Sequence, residues 1–186
     1  MEVGILSMRY AKALIDFATD QGAEGVVYEE FLRLTSGFRT HPALRTTLDN
    51  PIVPMNEKIT LVSVAANGDK PSSEAFTRFI RLVLEHKREE YLQTMGLMYI
   101  DLYRKLKHIG VGRLVTAVPV DKATEERIRS TAAHILHARM ELETVVDPSI
   151  EGGFVFDIND VRLDASVATQ LKRVKQQYID KNKRIV

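Results

Sequence analysis

The 186-residue sequence has no cysteine and no long apolar segment. Without cysteine there can be no disulfide, no thiolate nucleophile and no cysteine-ligated zinc. No uninterrupted apolar run approaches the roughly 18 residues that a membrane-spanning helix needs. An excess of one charge is also lacking, because 26 Lys and Arg balance 25 Asp and Glu and leave a net charge of +1. Neither nucleic acid nor an anionic membrane is therefore predicted as a partner.

The most conspicuous local pattern is the pair Gly152-Gly153, which precedes the apolar run Phe154 to Phe156. A phosphate-binding loop of the form GxxxxGK[ST] would instead lead into a helix through a lysine and a hydroxyl residue. Adjacent glycines before a strand are typical of positive φ, a bulge or a close backbone approach. The pair is therefore predicted to be structural.

Metal and catalytic patterns are incomplete. The DINDV run lacks the central glycine and the closing glutamate of an EF-hand loop, so turn formation and capping are predicted for Asp157, Asp160 and Asp164. His134 and His137 are three residues apart without an HExxH pattern, and no serine lies in GxSxG. The sequence predicts no catalytic residue, no cofactor, no metal ligand and hence no enzyme.

Helical periodicity dominates the first half of the chain. Six helices are predicted, the third being the short segment PALRTTLDN, and Ser72-Ser73 is predicted to cap the fifth. The apolar markers of the other five are Tyr10, Ala13, Leu14 and Phe17; Val27, Phe31 and Leu34; Ile59, Val62 and Ala66; Phe76, Phe79, Ile80 and Val83; and Tyr91, Met95, Met98, Leu102 and Leu106. Short connections between them indicate a helical bundle.

The pattern changes at Gly110 and Gly112, after which β-branched residues become frequent. The second half predicts a strand, a helix, a strand, a hairpin and a final helix. In chain order these are Arg113 to Pro119, Asp121 to Arg139, Leu142 to Val146, Phe154 to Phe156 paired with Val161 to Leu163, and a helix capped by Asp164 with Val167, Leu171, Val174 and Tyr178 on its stripe. The predicted fold class is α+β, with a six-helix bundle in residues 1–107 and a small α/β domain in residues 108–186.

Two surfaces leave alternatives open. The fifth helix carries Leu82 beyond its main stripe, which is explained either by core packing or by a groove that receives another protein's amphipathic helix. Near the C-terminus, six basic residues and one Asp give a local charge of +5. This is either a solvated helix face or a docking surface for an acidic or phosphate-bearing partner, such as a nucleic acid.

The ordered set of segments resembles the delta subunit family of the F-type ATP synthase, whose mitochondrial counterpart is the oligomycin-sensitivity-conferring protein. The segments are RYAKALIDFA; Leu48, Pro51 and Lys58; FIRLVLEHKREEYLQTMGLMYIDL; Val115, Ala117 and Pro119; DPSIEGGFVF; and LDASVATQL. The resemblance covers essentially the whole chain. Glu151 departs from it, because the family usually has an apolar residue before the glycine pair, and the tail KNKRIV is outside the pattern.

The resemblance implies a non-catalytic stator subunit that joins the catalytic head to the peripheral stalk and resists rotation during proton-driven ATP synthesis. It implies that the N-terminal domain holds the N-terminal helix of one alpha subunit between its first and fifth helices. The residues carried over to that site are Tyr10, Ala13, Leu14, Phe17, Phe79, Ile80 and Val83.

For the C-terminal domain, the resemblance implies binding to the end of the b-subunit. The elements concerned are the strand Phe154 to Phe156 and the final helix with Val167, Leu171 and Val174. One copy per complex, peripheral to the cytoplasmic face of a bacterial inner membrane, is expected, since no transit segment is recognised. A hinge between the two domains is expected at Gly110 and Gly112.

Overall fold

The structure is a computed structural model that describes residues 3–127, 130, 139–158 and 161–183. The chain divides into two compact units, Met1–Lys107 and His108–Val186. The α+β fold class predicted from the sequence is confirmed, with helices in both units and a four-stranded sheet in the second.

The described part of the first unit is helical throughout. Its α-helices are α1 (Val3–Asp20), α2 (Glu24–Thr40), α3 (Ala43–Asp49), α4 (Met55–Asn67), α5 (Glu74–Glu85) and α6 (Leu92–Leu106), with a 3-10 turn at Glu89–Tyr91 before α6. Helix α6 packs against α1 and α2, and α2 also packs against α4. The predicted stripes therefore meet in one core.

Aromatic rings fill the centre of this core. Phe31 is fully buried and lies within 5.1 to 5.9 Å, centroid to centroid, of the rings of Phe76, Phe79 and Tyr99. Gly96 of α6 lets this ring approach the helix backbone, because a Cβ there would lie 2.7 Å from Phe31 Cδ1. Burial of the Tyr99 side chain raises the pKa of its hydroxyl, which donates to the carbonyl of Glu24 at 3.0 Å.

The second unit is built on a sheet with strand order β2-β1-β3-β4. The strands are β1 (Ile109–Thr116), β2 (Arg139–Val146), β3 (Phe154–Ile158) and β4 (Val161–Asp164), and helix α7 (Val167–Lys183) follows. Strand β1 pairs in parallel with β2 and antiparallel with β3, and β3 and β4 form the predicted hairpin. Its turn, residues 159–160, lies outside the described residues.

The helix predicted from Asp121 to Arg139 is partly corrected. Residues 122–127 are helical, but Arg139 begins strand β2, where it pairs with Ile109 of β1. Backbone pairing with β1 overrides the helical pattern at this end. The markers Ala132 and Ile135 lie outside the described residues, as do His134 and His137.

The predicted hinge glycines belong to the sheet. Gly110 and Gly112 lie within β1 and pair with Met140 and Leu142 of β2. The residue with positive φ at the connection is His108, at +52°. A strand that is hydrogen-bonded to a neighbouring strand resists bending, so a hinge at these two glycines is not expected.

The structural role predicted for the glycine pair is confirmed. Gly153 has a φ of +71°, and a Cβ on it would lie 2.3 Å from the carbonyl oxygen of Ala165. Gly152 accepts a hydrogen bond from the amide of Val167 at 3.0 Å. The pair thus lets the start of β3 lie directly against the start of α7.

The cap of α7 differs from the predicted one. The hydroxyl of Ser166 accepts from the amide of Thr169 at 3.2 Å and so occupies the capping position assigned to Asp164. Asp164 instead accepts from the amide and hydroxyl of Ser166 at 3.0 and 2.6 Å and from the Thr169 hydroxyl at 2.9 Å. These donors, the Ser166 hydroxyl first, lower the pKa of Asp164 to about 2.

Candidate protein-docking groove

An open groove of about 440 Å³ lies between α1 and α5. Its lining residues are Arg9, Tyr10, Ala13, Leu14, Phe17, Ala75, Arg78, Phe79 and Leu82. The lining is mostly apolar, and a mostly apolar concave surface on a helical unit is a standard receptor for an amphipathic helix. We call this surface the α1/α5 groove.

Side-chain size explains why these two helices leave a groove. Ala13 of α1 and Ala75 of α5 both line it, and their methyl groups leave space that a larger side chain would fill. Tyr10 and Phe79 close one part of the floor, with their rings edge to face at 6.2 Å. Ala13 is exposed, whereas Ala75 is buried, so the opening lies over α1.

Five of the seven residues predicted to bind a partner line this groove. They are Tyr10, Ala13, Leu14, Phe17 and Phe79. Ile80 and Val83 do not line it, because both are fully buried in the core of the unit. Helix α5 is apolar on two sides: Phe76, Ile80 and Val83 belong to the core. The groove side of α5 is formed by Ala75, Arg78, Phe79 and Leu82.

The residues that sequence reasoning missed are Arg9, Ala75, Arg78 and, as a site residue, Leu82. The sequence does single out Leu82, because it is the apolar residue outside the main stripe of α5. Nothing in the sequence singles out the two arginines, because a charged residue on an amphipathic helix ordinarily indicates a solvent-facing position.

Arginine side chains hold the aromatic floor in place. Arg88 donates a hydrogen bond to the Tyr10 hydroxyl at 2.6 Å, and its guanidinium lies 5.3 Å from the centre of that ring. Arg78 lies 5.3 Å from the centre of the Phe17 ring. Cation–π contacts of this kind restrict the rings without filling the groove.

The position of α5 depends on its N-terminus. Ser73 caps the helix, as predicted, by accepting from the amide of Phe76 at 3.3 Å. Its own amide and hydroxyl donate to the carboxylate of Glu30, which is fully buried in α2. Asn67, at the end of α4, donates to the same carboxylate at 2.6 Å. Three helices therefore meet at one side chain, which locates the α5 wall of the groove.

A second candidate surface is the apolar stripe of α7. Leu171, Val174 and Tyr178 are 55%, 62% and 68% exposed, and Val167 is also exposed. Part of the strand Phe154 to Phe156 and of the final helix was expected to be core: Val155 is buried, whereas these four side chains of α7 face solvent. We call this set the α7 stripe. Lys172, Arg173 and Lys175 are exposed on the same helix.

Other kinds of site find no support in the described part of the chain. The described residues contain no group of three or more His, Asp or Glu side chains placed to hold a metal ion. Within the same residues, no helix is long and apolar enough to cross a membrane.

The sequence matches the family profile of the ATP synthase delta (OSCP) subunit over residues 6–178. ATP synthase subunit delta of Bacteroides fragilis is 71% identical, and that of Bacteroides thetaiotaomicron is 67% identical, each over all of both chains. A chain in the cryo-EM structure of the Toxoplasma gondii mitochondrial ATP synthase hexamer has a similar fold, with a TM-score of 0.66 and 22% identity over 94% of this chain and 97% of that one.

The profile match spans nearly the whole chain, and the identities far exceed what a shared fold alone produces. The chain therefore belongs to the ATP synthase delta (OSCP) subunit family, and it is a non-catalytic stator subunit in the peripheral stalk of the F-type ATP synthase.

Proposed function

We propose that the chain links the catalytic head to the stalk through two separate contacts. Residues 1–107, as a six-helix bundle, bind the N-terminal helix of one alpha subunit in the α1/α5 groove. Residues 108–186 bind the C-terminal end of the b-subunit. One copy serves each complex, at the cytoplasmic face of a bacterial inner membrane. The bacterial origin of the 71% and 67% identical relatives supports this location.

The observation that carries the contact with the alpha subunit is the open, apolar α1/α5 groove. Tyr10, Ala13, Leu14, Phe17 and Phe79 form its proposed contact surface. Ile80 and Val83 do not contact the partner in this proposal. They are buried in the core and hold α5 in the position where it forms one wall of the groove. A partner helix with apolar residues at i, i+3, i+4 and i+7 would cover the floor with one face.

The α7 stripe supports the contact with the b-subunit. Its side chains lie on one face of a helix, because they recur at spacings of three and four residues. Large apolar side chains in a row are costly to leave in water and are typical of a surface that another chain covers. Phe154 of β3 is also exposed and extends the candidate surface to the sheet.

Two contacts suit the mechanical role. A stator must dissociate slowly under torque, and nanomolar affinity corresponds to about 12 kcal/mol of binding free energy. Neither surface has to supply all of it, because linking two binding modules in one chain raises the effective concentration of each partner for the second contact.

The test measures binding of a synthetic peptide, about 25 residues long, from the N-terminus of the alpha subunit of the same synthase, since a helix of this length exceeds the groove at both ends. Ala13→Asp in the full-length chain should weaken binding at least about a hundredfold, because the carboxylate would face the apolar stripe of the bound peptide and lose its water. Ala43→Asp is the matched control, since Ala43 is exposed on α3, outside the groove. Circular dichroism should show equal helix content in both variants. Binding that survives Ala13→Asp would rule out the groove.

A further inference from the structure

Resting on the proposed function, we propose that Arg9 and Arg78 determine which helix the α1/α5 groove accepts. The inferred occupant is an amphipathic helix that carries a carboxylate beside its apolar stripe near each end of the contact. The two arginines would thus reject apolar helices that are flanked by basic residues.

The charge of the lining is one-sided. Of the nine lining residues, seven are uncharged and two are arginines, and no acidic residue belongs to the set. The whole chain has a net charge of only +1, so this local imbalance does not reflect the composition. A groove that offers cations alone is complementary to a helix with anionic flanks.

The two arginines stand toward opposite ends of the groove. Arg9 precedes Tyr10, whose hydroxyl is bound by Arg88 beyond the end of α5. Arg78 lies over the ring of Phe17, two turns further along α1. Tyr10 and Phe17 are about 10 Å apart along the helix, because each residue adds about 1.5 Å. Two carboxylates on one partner helix, separated by two to three turns, could therefore reach both cations at once.

Neither the Arg9 nor the Arg78 guanidinium is held so firmly that it could not bind a carboxylate of the partner. Arg9 is exposed and has neither a hydrogen bond nor an ion pair with any described residue. Arg78 has a 3.7 Å ion pair with Glu74, in which both side chains are more than 60% exposed. Such an exposed pair contributes little and exchanges readily. Arg88 differs, since its hydrogen bond to Tyr10 already engages it.

Arg9 and Arg78 are expected to contribute more to the choice of partner helix than to the total binding affinity. Guanidinium binds carboxylate through two parallel hydrogen bonds, which fixes the position of the partner as well as its charge. Rim charges of this kind mainly accelerate association and penalise partners of the same sign. The apolar floor remains the main source of binding energy.

The experiment uses the full-length chain and the same alpha N-terminal peptide. The double variant Arg9→Gln with Arg78→Gln keeps the side-chain stems but removes both charges. At about 0.01 M salt, where the Debye length is about 30 Å, it should bind about three- to tenfold more weakly than the wild type. At about 1 M salt, where that length is about 3 Å, the two affinities should converge. The difference at low salt should lie mostly in the association rate.

Arg39→Gln with Arg45→Gln is the matched control, because both arginines are exposed on the same unit and neither lines the groove. It should retain wild-type affinity. A peptide with its flanking carboxylates replaced by lysine should bind the wild type poorly and recover on Arg9→Glu with Arg78→Glu.

Three outcomes would overturn this inference while leaving the groove itself intact. One is equal affinity of the wild type and the Gln pair at low salt. Another is an equal loss of affinity in the Arg39 and Arg45 control, which would show that the effect comes from the net charge of the chain and not from the position of the arginines. The third is the absence of recovery in the charge-reversed combination. Failure of the peptide to bind the wild type at any salt concentration would instead refute the proposed contact with the alpha subunit.

Discussion

The hydroxyl of Ser73 donates to the buried carboxylate of Glu30 at 2.6 Å, although 43 residues separate the two in the chain. Ser73 is the N-cap of α5, and Glu30 is fully buried in α2. The hydrogen bond therefore fixes one wall of the α1/α5 groove to the core of the unit.

Glu30→Ala should destabilise the first unit by about 3 kcal/mol, because it opens a cavity in the core and leaves the partly buried Ser73 amide and Asn67 side chain without this acceptor. Glu30→Gln should cost only about 1 kcal/mol. Its amide oxygen can still accept from Ser73 and Asn67, and the Ser73 hydroxyl can accept where it now donates. Urea unfolding followed by circular dichroism measures both values. Equal losses would show that the negative charge, and not the hydrogen-bond pattern, is what matters.

Gly153→Ala should destabilise the second unit by about 3 kcal/mol or more, for two reasons. A side chain is disfavoured at the positive φ of this residue, and the new Cβ would clash with the Ala165 carbonyl oxygen. Gly22→Ala separates the two causes. Gly22 has a φ of +62°, but a Cβ on it would have nothing within 4 Å. Its replacement should therefore cost only about 1 kcal/mol. Hydrogen exchange, followed separately in each unit, measures the two losses. Similar costs for both variants would contradict the steric role of the glycine pair.

Asp164 should make the second unit sensitive to acid. Its pKa of about 2 lies below the ordinary value of 3.8, so the folded state favours the ionised form. The resulting stability is complete above about pH 4 and is lost as the pH falls toward 2. The urea midpoint of the second unit should fall over this interval in the wild type and fall less in Asp164→Asn. Asp180→Asn, a control in the same helix, should retain the full decrease.

The α7 stripe should affect binding more than stability. Leu171→Ala should change the free energy of unfolding by less than about 1 kcal/mol, because Leu171 is already largely in water. The same substitution at buried Leu114 should cost about 3 kcal/mol. Binding of a segment from the C-terminus of the b-subunit, measured by titration calorimetry, should weaken about tenfold or more in Leu171→Ala. Unchanged binding would exclude the stripe from the proposed stalk contact.

Local signals in the sequence were sufficient for several features. The Ser73 cap, the β3–β4 hairpin and the structural glycine pair each depend on a few neighbouring residues, and each was found where predicted. Helical spacing also placed Tyr10, Ala13, Leu14 and Phe17 on one face of α1, because an amphipathic stripe is visible in the sequence itself. Their assignment to a partner-binding site came from the family resemblance.

The remaining features depend on how elements pack. Arg139 joins β2 because β1 offers it a partner, which no local pattern reports. Ile80 and Val83 face the core because α5 is apolar on two sides, and spacing alone does not say which side meets another chain. Arg9 and Arg78 come to line one groove only because α1 and α5 pack side by side.

The exposed α7 stripe also bears on the fate of copies that are left outside the complex. Large apolar side chains standing in water are the feature that chaperones and proteases use to find incomplete assemblies. Under the proposed stalk contact, a surplus copy would display the stripe as a degradation signal, and incorporation into the stalk would hide it. Cellular turnover can in this way match the abundance of the chain to that of its neighbours.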